Sequence, residues 1–191
     1  MYAITNTFSL TIILFLNKII LVIAVGILLI IMTCLYASLD SLTQSNFTVI
    51  GNKEGYLGMF IIWTFCIATY FLYNSIQLLK KYNYTFKYQK ILSTYIYLAC
   101  IITPFIPYTE QNPFLDDLHV FFAFSSATLF LIVWLFFLNH IKHITKQLEL
   151  PFLLLIQILG ISLVYFSSIN SIIELIIIIA MILLIEFLKK I

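Results

Sequence analysis

Residues 19–38 read IILVIAVGILLIIMTCLYAS. No charged side chain interrupts the run. A helix of that length reaches about 30 Å at about 1.5 Å per residue, the thickness of a bilayer's hydrocarbon core. Outward from this stretch the pattern recurs at about 57–79, 91–107, 117–139, 150–167 and 171–188. The expected fold is all-α: a polytopic membrane bundle of six transmembrane helices, one integral domain over residues 1–191. Composition supports this. The 191 residues are 63% hydrophobic and 9% charged, with a mean hydropathy of +1.10. Soluble domains are about half apolar and about a quarter charged, so a water-soluble enzyme and a disordered chain are both excluded.

The segments between the apolar runs set the orientation. Residues 1–18 are apolar, but their charge, Lys18, follows the run instead of preceding it. A cleaved secretory signal has the opposite order, so an interfacial segment or helical lead-in is expected. The stretch 39–55, LDSLTQSNFTVIGNKEG, reads as a polar loop with turn signals at Gly51, Asn52 and Gly55. Pro104 and Pro107 end the third run, and Pro151 opens the fifth. Lysines gather at 80–90, 142–146 and 189–190. The intervening connectors carry Lys53 alone against Asp40, Glu54, Glu110, Asp116 and Asp117. Lys and Arg favour the cytoplasmic side, which places both termini in the cytoplasm. All ten basic residues are Lys, and Ile, Asn, Tyr and Phe abound. This composition suggests an AT-rich genome and a bacterial plasma membrane. A net charge of +2 leaves no nucleic-acid footprint. Membrane lipids are the expected surroundings, with a membrane-protein partner or a second copy as further contacts.

The residues that could carry chemistry are few. Asp116 and His119 stand i,i+3 at the start of the fourth run and can share a helix face. That face continues through Ala123, Ser126 and Ala127, small residues that admit close helix packing. In one reading Asp116 orients His119 as a base. In the other, Asp116 or Asp117 caps the helix and His119 is a hydrogen-bonded tie between helices. Glu174, one turn into the sixth run, is expected at similar depth, with Thr103, Cys100, Thr64, Ala68 and Trp63. Together they predict a shared cavity or a packed polar knot. The ligand-binding candidates are His119, Ser126, Thr103, Glu174 and, from the acidic loop, Glu110. Gln157, mid-run, suits an interhelical hydrogen bond, Asn74 and Gln77 lie near the inner end of the second run, and Glu186 suits pairing with Lys189 and Lys190. Metals and cofactors are not expected. His140 lies about 31 Å along the helix from His119, and His140 and His143 flank Lys142, as in a headgroup-facing basic patch. Cys34, Cys66 and Cys100 read as small apolar fillers.

The SNFTVIGN…YLGMFIIW stretch at 45–63, the IPY of residues 106–108 and the His119 that opens the fourth run resemble bacterial six-span proteins of the FRAG/DRAM-like superfamily. The resemblance implies a membrane protein with no established reaction. The DDLHVFFAF segment also resembles a VanZ-like span. The size and layout are similar to substrate-binding subunits of energy-coupling-factor transporters, although Ala24 and Leu28 break their docking pattern. The expected function is binding of a lipid, a small molecule or a partner in the outer half of the bundle. A transporter subunit, or a membrane enzyme acting on lipid through His119, is the alternative.

Overall fold

The computed structural model describes residues 24–108, 112–141, 157 and 170–191, and every regular element among them is helical. The elements are α1 (Ala24–Ala37), α2 (Phe47–Asn52), α3 (Leu57–Lys81), α4 (Gln89–Ile102), a 3-10 turn (Thr103–Phe105), α5 (Pro113–Ile141) and α6 (Ser171–Lys190). Three of them, α3, α5 and α6, are long and apolar enough to cross a membrane. Among the described residues the fold is all-helical, and these three apolar helices mark a membrane protein. The segment 1–18, Glu110, Lys142, His143, Lys146 and all of the fifth expected span except Gln157 lie outside the described residues. Gln157 is helical and exposed, not the interior hydrogen-bonding residue expected of it.

Several boundaries differ from expectation, each for a local reason. The stretch 39–55 is not all loop, because α2 forms inside it. Asn46 caps α2, its side chain accepting from Val49 N at 2.8 Å, and Phe47, Ile50 and Gly51 are buried. Gly51 is therefore a packing glycine in a helix. Gly55, at φ +87°, is the turn residue. The third run ends as α-helix at Ile102 and tightens into a 3-10 turn around Pro104, since Pro cannot donate to the ladder. The fourth begins at Pro113, earlier than expected. Neither Asp116 nor Asp117 is the cap: Asn112 accepts from Leu115 N through its side chain (3.4 Å) and from Asp116 N through its carbonyl (3.1 Å). Asn followed by Pro combines a capping side chain with a pre-set φ at the first helical position. In the C-terminal half of α5, Trp134, Phe137, Leu138 and Ile141 are buried.

Helix α3 is the centre, packing against α2, α4 and α6, while α5 packs on α4. At the α2 end an aromatic knot joins α1, α2 and α3. The rings of Tyr36 and Trp63 stack at 5.2 Å, and the edge of Phe47 meets Trp63 at 4.8 Å. The polar atoms of the knot are paired: Tyr36 donates to Phe47 O (2.9 Å), and Trp63 Nε1 donates to Thr33 Oγ1 (3.1 Å). Buried aromatics of this kind contribute both area and ring geometry.

The two ends of α6 are anchored to distant parts of the chain. At its start, Ser171 N donates to Ser45 O (2.7 Å) and Ile172 N to Leu42 O (3.2 Å), while Ile173 N donates to the Asn170 side chain (3.2 Å). Three donors that a helix start leaves orphaned are thereby satisfied. At its end, Lys81 and Tyr82 donate to the Leu188 carbonyl, and Lys81 also to that of Lys189. Burial raises the pKa of the Tyr82 phenol. Beside this end, Glu186 accepts from Tyr70 (2.5 Å) and pairs with Lys189 (2.6 Å). In the α1–α2 loop, Asp40 accepts from the Lys53 ammonium and the Ser45 hydroxyl, which together hold its carboxyl down at about 2.

Candidate functional site: an intrabundle cavity

Small side chains on facing helices leave space between them. Ala68 on α3 and Ala123, Ser126 and Ala127 on α5 sit opposite Cys100 and Thr103 at the end of α4. The result is a cavity of about 280 Å3. Its walls are mostly apolar, with Ile67, Phe71, Ile96, Phe130, Leu131 and Met181 among them. It begins under α2, at Phe47 and Thr48, and continues down α3 as far as Leu79. It therefore runs along α3 rather than ending under the loops.

Of the residues singled out from the sequence, Ser126, Thr103, Glu174, Cys100, Thr64, Ala68, Trp63 and Ala123 all line this cavity. His119 does not line it. It lies behind the wall, 1% exposed. Its Nδ1 is 2.7 Å from the Ile106 carbonyl, and its Nε2 is 3.2 Å from Thr48 Oγ1. A carbonyl only accepts, so Nδ1 carries the proton. In the neutral ring Nε2 is then the acceptor, and Thr48 donates to it. The Tyr108 ring packs on the imidazole at 5.5 Å, and Tyr108 N donates to Asn52 Oδ1 (3.1 Å). Two contacts from α2, Thr48 and Asn52, thus fasten that helix to the start of α5 and the turn before it. Among the described residues, no hydrogen bond or ion pair joins Asp116 to His119. Asp116 is half-buried and close enough for its charge to act on the imidazole, but it does not hold the ring by a hydrogen bond.

Glu174 is divided between structure and cavity. Its Oε2 accepts from Phe47 N at 2.6 Å, satisfying the first donor of α2. Its Oε1 makes no hydrogen bond among the described residues. The hydroxyls of Thr103 and Ser126 are spent within their own helices, on Ala99 O (2.7 Å) and Ala123 O (2.9 Å). Thr64 is 5% exposed, and its Oγ1 has no hydrogen-bond partner among the described residues. A buried hydroxyl in that state is destabilising. Thr64→Val keeps the shape and removes the unpaired group, so a gain of about 1 kcal/mol is expected. A thermal melt with an unchanged or lower midpoint would count against this account.

Asn74 donates to Tyr70 O (2.7 Å) and is a buried helix residue, whereas Gln77 is exposed. The described cysteines are all free, and no cluster of metal-ligating side chains occurs among the described residues. His140 is exposed against Tyr84, with ring centroids 4.8 Å apart. Sequence reasoning missed Thr48 and the helix that carries it. The signal was present: Asn46 as a cap, with apolar Phe47 and Ile50 at i,i+3 spacing behind it.

Comparison with protein-family models, curated proteins and solved structures gives no match to this chain.

Proposed function

We propose that this protein is a six-span integral membrane protein, both termini cytoplasmic, that holds a lipid-like small molecule inside its bundle. The cavity is the observation that carries the reading. A concave, mostly apolar space with a few polar groups in its walls is the usual form of a small-molecule site, and 280 Å3 is close to the lower bound of such sites. Both ring nitrogens of His119 are engaged in hydrogen bonds, which favours binding over acid–base catalysis.

The test is to purify the full chain in mild detergent and extract it under denaturing conditions for mass spectrometry. One apolar molecule per chain is expected. Ala127 lines the cavity and is itself exposed, so Ala127→Phe can fill the space without displacing a packed neighbour. That variant is expected to lose the molecule, and equal recovery from both proteins would refute the reading. The lysine asymmetry supports the orientation. In a background without native cysteines, Glu54→Cys is expected to react with an impermeant maleimide on intact cells, and Lys87→Cys is not. The reverse pattern would invert the topology.

A further inference from the structure

We infer that the cavity selects a single-chain amphiphile whose head donates hydrogen bonds, an alcohol or a primary amine, seated between Glu174 and Thr48. The inference rests on the binding reading above and names the class of ligand.

The size of the space sets the first limit. A dry cavity of about 150 Å3 holds one benzene, so 280 Å3 takes about a dozen non-hydrogen atoms. The lining on α5 extends from Ala123 to Trp134, about 16 Å of helix. A narrow space of that length suits one alkyl chain and is too small for a whole two-chain lipid.

The polar groups at the α2 end set the second limit. Glu174 lines the cavity with one oxygen committed to Phe47 N and the other without a partner among the described residues. Thr48 lines the same end. The Ile106 carbonyl fixes the proton on Nδ1 of His119, Nε2 takes the Thr48 proton, and Thr48 is left with lone pairs to offer. Thr48 therefore accepts, and the open Glu174 oxygen accepts when the carboxyl is ionised. No Lys stands among the described lining residues. A head that donates meets two acceptors there. A carboxylate or phosphate head meets a carboxyl group and no cation, and a bare alkane leaves the acceptors unmatched. His119 is thus a positioning residue: it sets the direction of the Thr48 hydroxyl without touching the ligand.

The chain's two tryptophans, Trp63 and Trp134, both line the cavity, so their fluorescence reports occupancy. The experiment uses the full chain in phosphatidylcholine nanodiscs, titrated with ω-bromoundecanol, ω-bromoundecanoic acid and bromoundecane, whose bromine quenches tryptophan. The Ala127→Phe variant supplies the background from probe dissolved in the bilayer. Saturable quenching by the alcohol is expected, about tenfold tighter than by the acid or the bromoalkane, with displacement by undecylamine. Glu174→Gln keeps an acceptor for Phe47 N but turns an amide donor toward the cavity. It is expected to lose most of the preference for the alcohol while its melting midpoint stays near that of the parent.

Equal affinity for all three probes, or tightest binding of the acid, overturns the head-group inference and leaves the cavity reading standing. An unchanged preference in Glu174→Gln also overturns it. Quenching by every probe that matches the Ala127→Phe background overturns the cavity reading, and this inference falls with it.

Discussion

His119→Phe is expected to destabilise the protein by about 2–4 kcal/mol, because it strands two polar partners at once and each buried unpaired group costs about 1–3 kcal/mol. The imidazole is buried and bridges Ile106 O and Thr48 Oγ1. Phenylalanine has a similar outline but offers neither a donor nor an acceptor. His119→Asn is the informative companion. Its amide nitrogen sits near the position of Nδ1 and can still donate to Ile106, so about half the loss should return. For a chain of this length 1 kcal/mol moves the midpoint by about 2–4 °C, so thermal melts resolve the series. A His119→Phe protein that melts like the parent would show that the imidazole ties nothing together.

Gly51→Ala should be nearly as harmful, although local helix preference argues the other way. In an unobstructed helix, replacing Gly by Ala gains about 0.5–1 kcal/mol. Here a Cβ on residue 51 would stand 2.3 Å from Phe60 Cδ1, 2.4 Å from its Cγ and 2.8 Å from its Cβ. These atoms are the ring's root, and the ring is stacked against Tyr36 at 5.9 Å and Trp63 at 6.2 Å, so it has nowhere to withdraw. Overpacking of this kind costs about 1–3 kcal/mol, sometimes more, which exceeds the gain in propensity. If α2 lifts to make room, Phe47 N–Glu174 and Thr48–His119 weaken with it. A net loss of about 2 kcal/mol is expected by thermal melt. Phe60→Ala in the same chain should recover part of it as a non-additive term. Strict additivity of the two changes would contradict the contact.

The apolar runs were legible because a bilayer demands long uninterrupted segments, and the run at 171–188 shows this best: α6 begins at Ser171 itself. The small residues of the fourth run were legible for a related reason, since i,i+3 and i,i+4 spacing alone places Ala123, Ser126 and Ala127 on one face. Helix α2 was hidden by its length. Six residues carry too little periodicity to stand out, and Gly51 in isolation reads as a turn when its actual constraint is a ring four residues into another helix. Of the two readings of His119, the tie between helices is the one its hydrogen bonds match, because proximity of Asp116 along a helix says nothing about competing partners. The Ile106 carbonyl, contributed by the chain before α5, occupies the nitrogen that the carboxylate was expected to orient. Glu174 lines one cavity with the residues it was grouped with, but its bond to Phe47 N spans 127 residues, and no local pattern encodes a contact of that kind.

The seam between the α1–α2 loop and the start of α6 has a consequence for biosynthesis. Ser45 O waits for Ser171, 126 residues later in the chain, and at ribosomal rates of about 5–20 residues per second that interval is roughly 6–25 s. Until α6 emerges, the carbonyls of Leu42 and Ser45 and the first amide of α2 lack their partners. The segments made first can enter the bilayer as they appear, but the seam between the α1–α2 loop and α6 forms only once α6 is made. A nascent chain halted before residue 171 therefore lacks the hydrogen bonds that close this seam, and only the start of α6 supplies them.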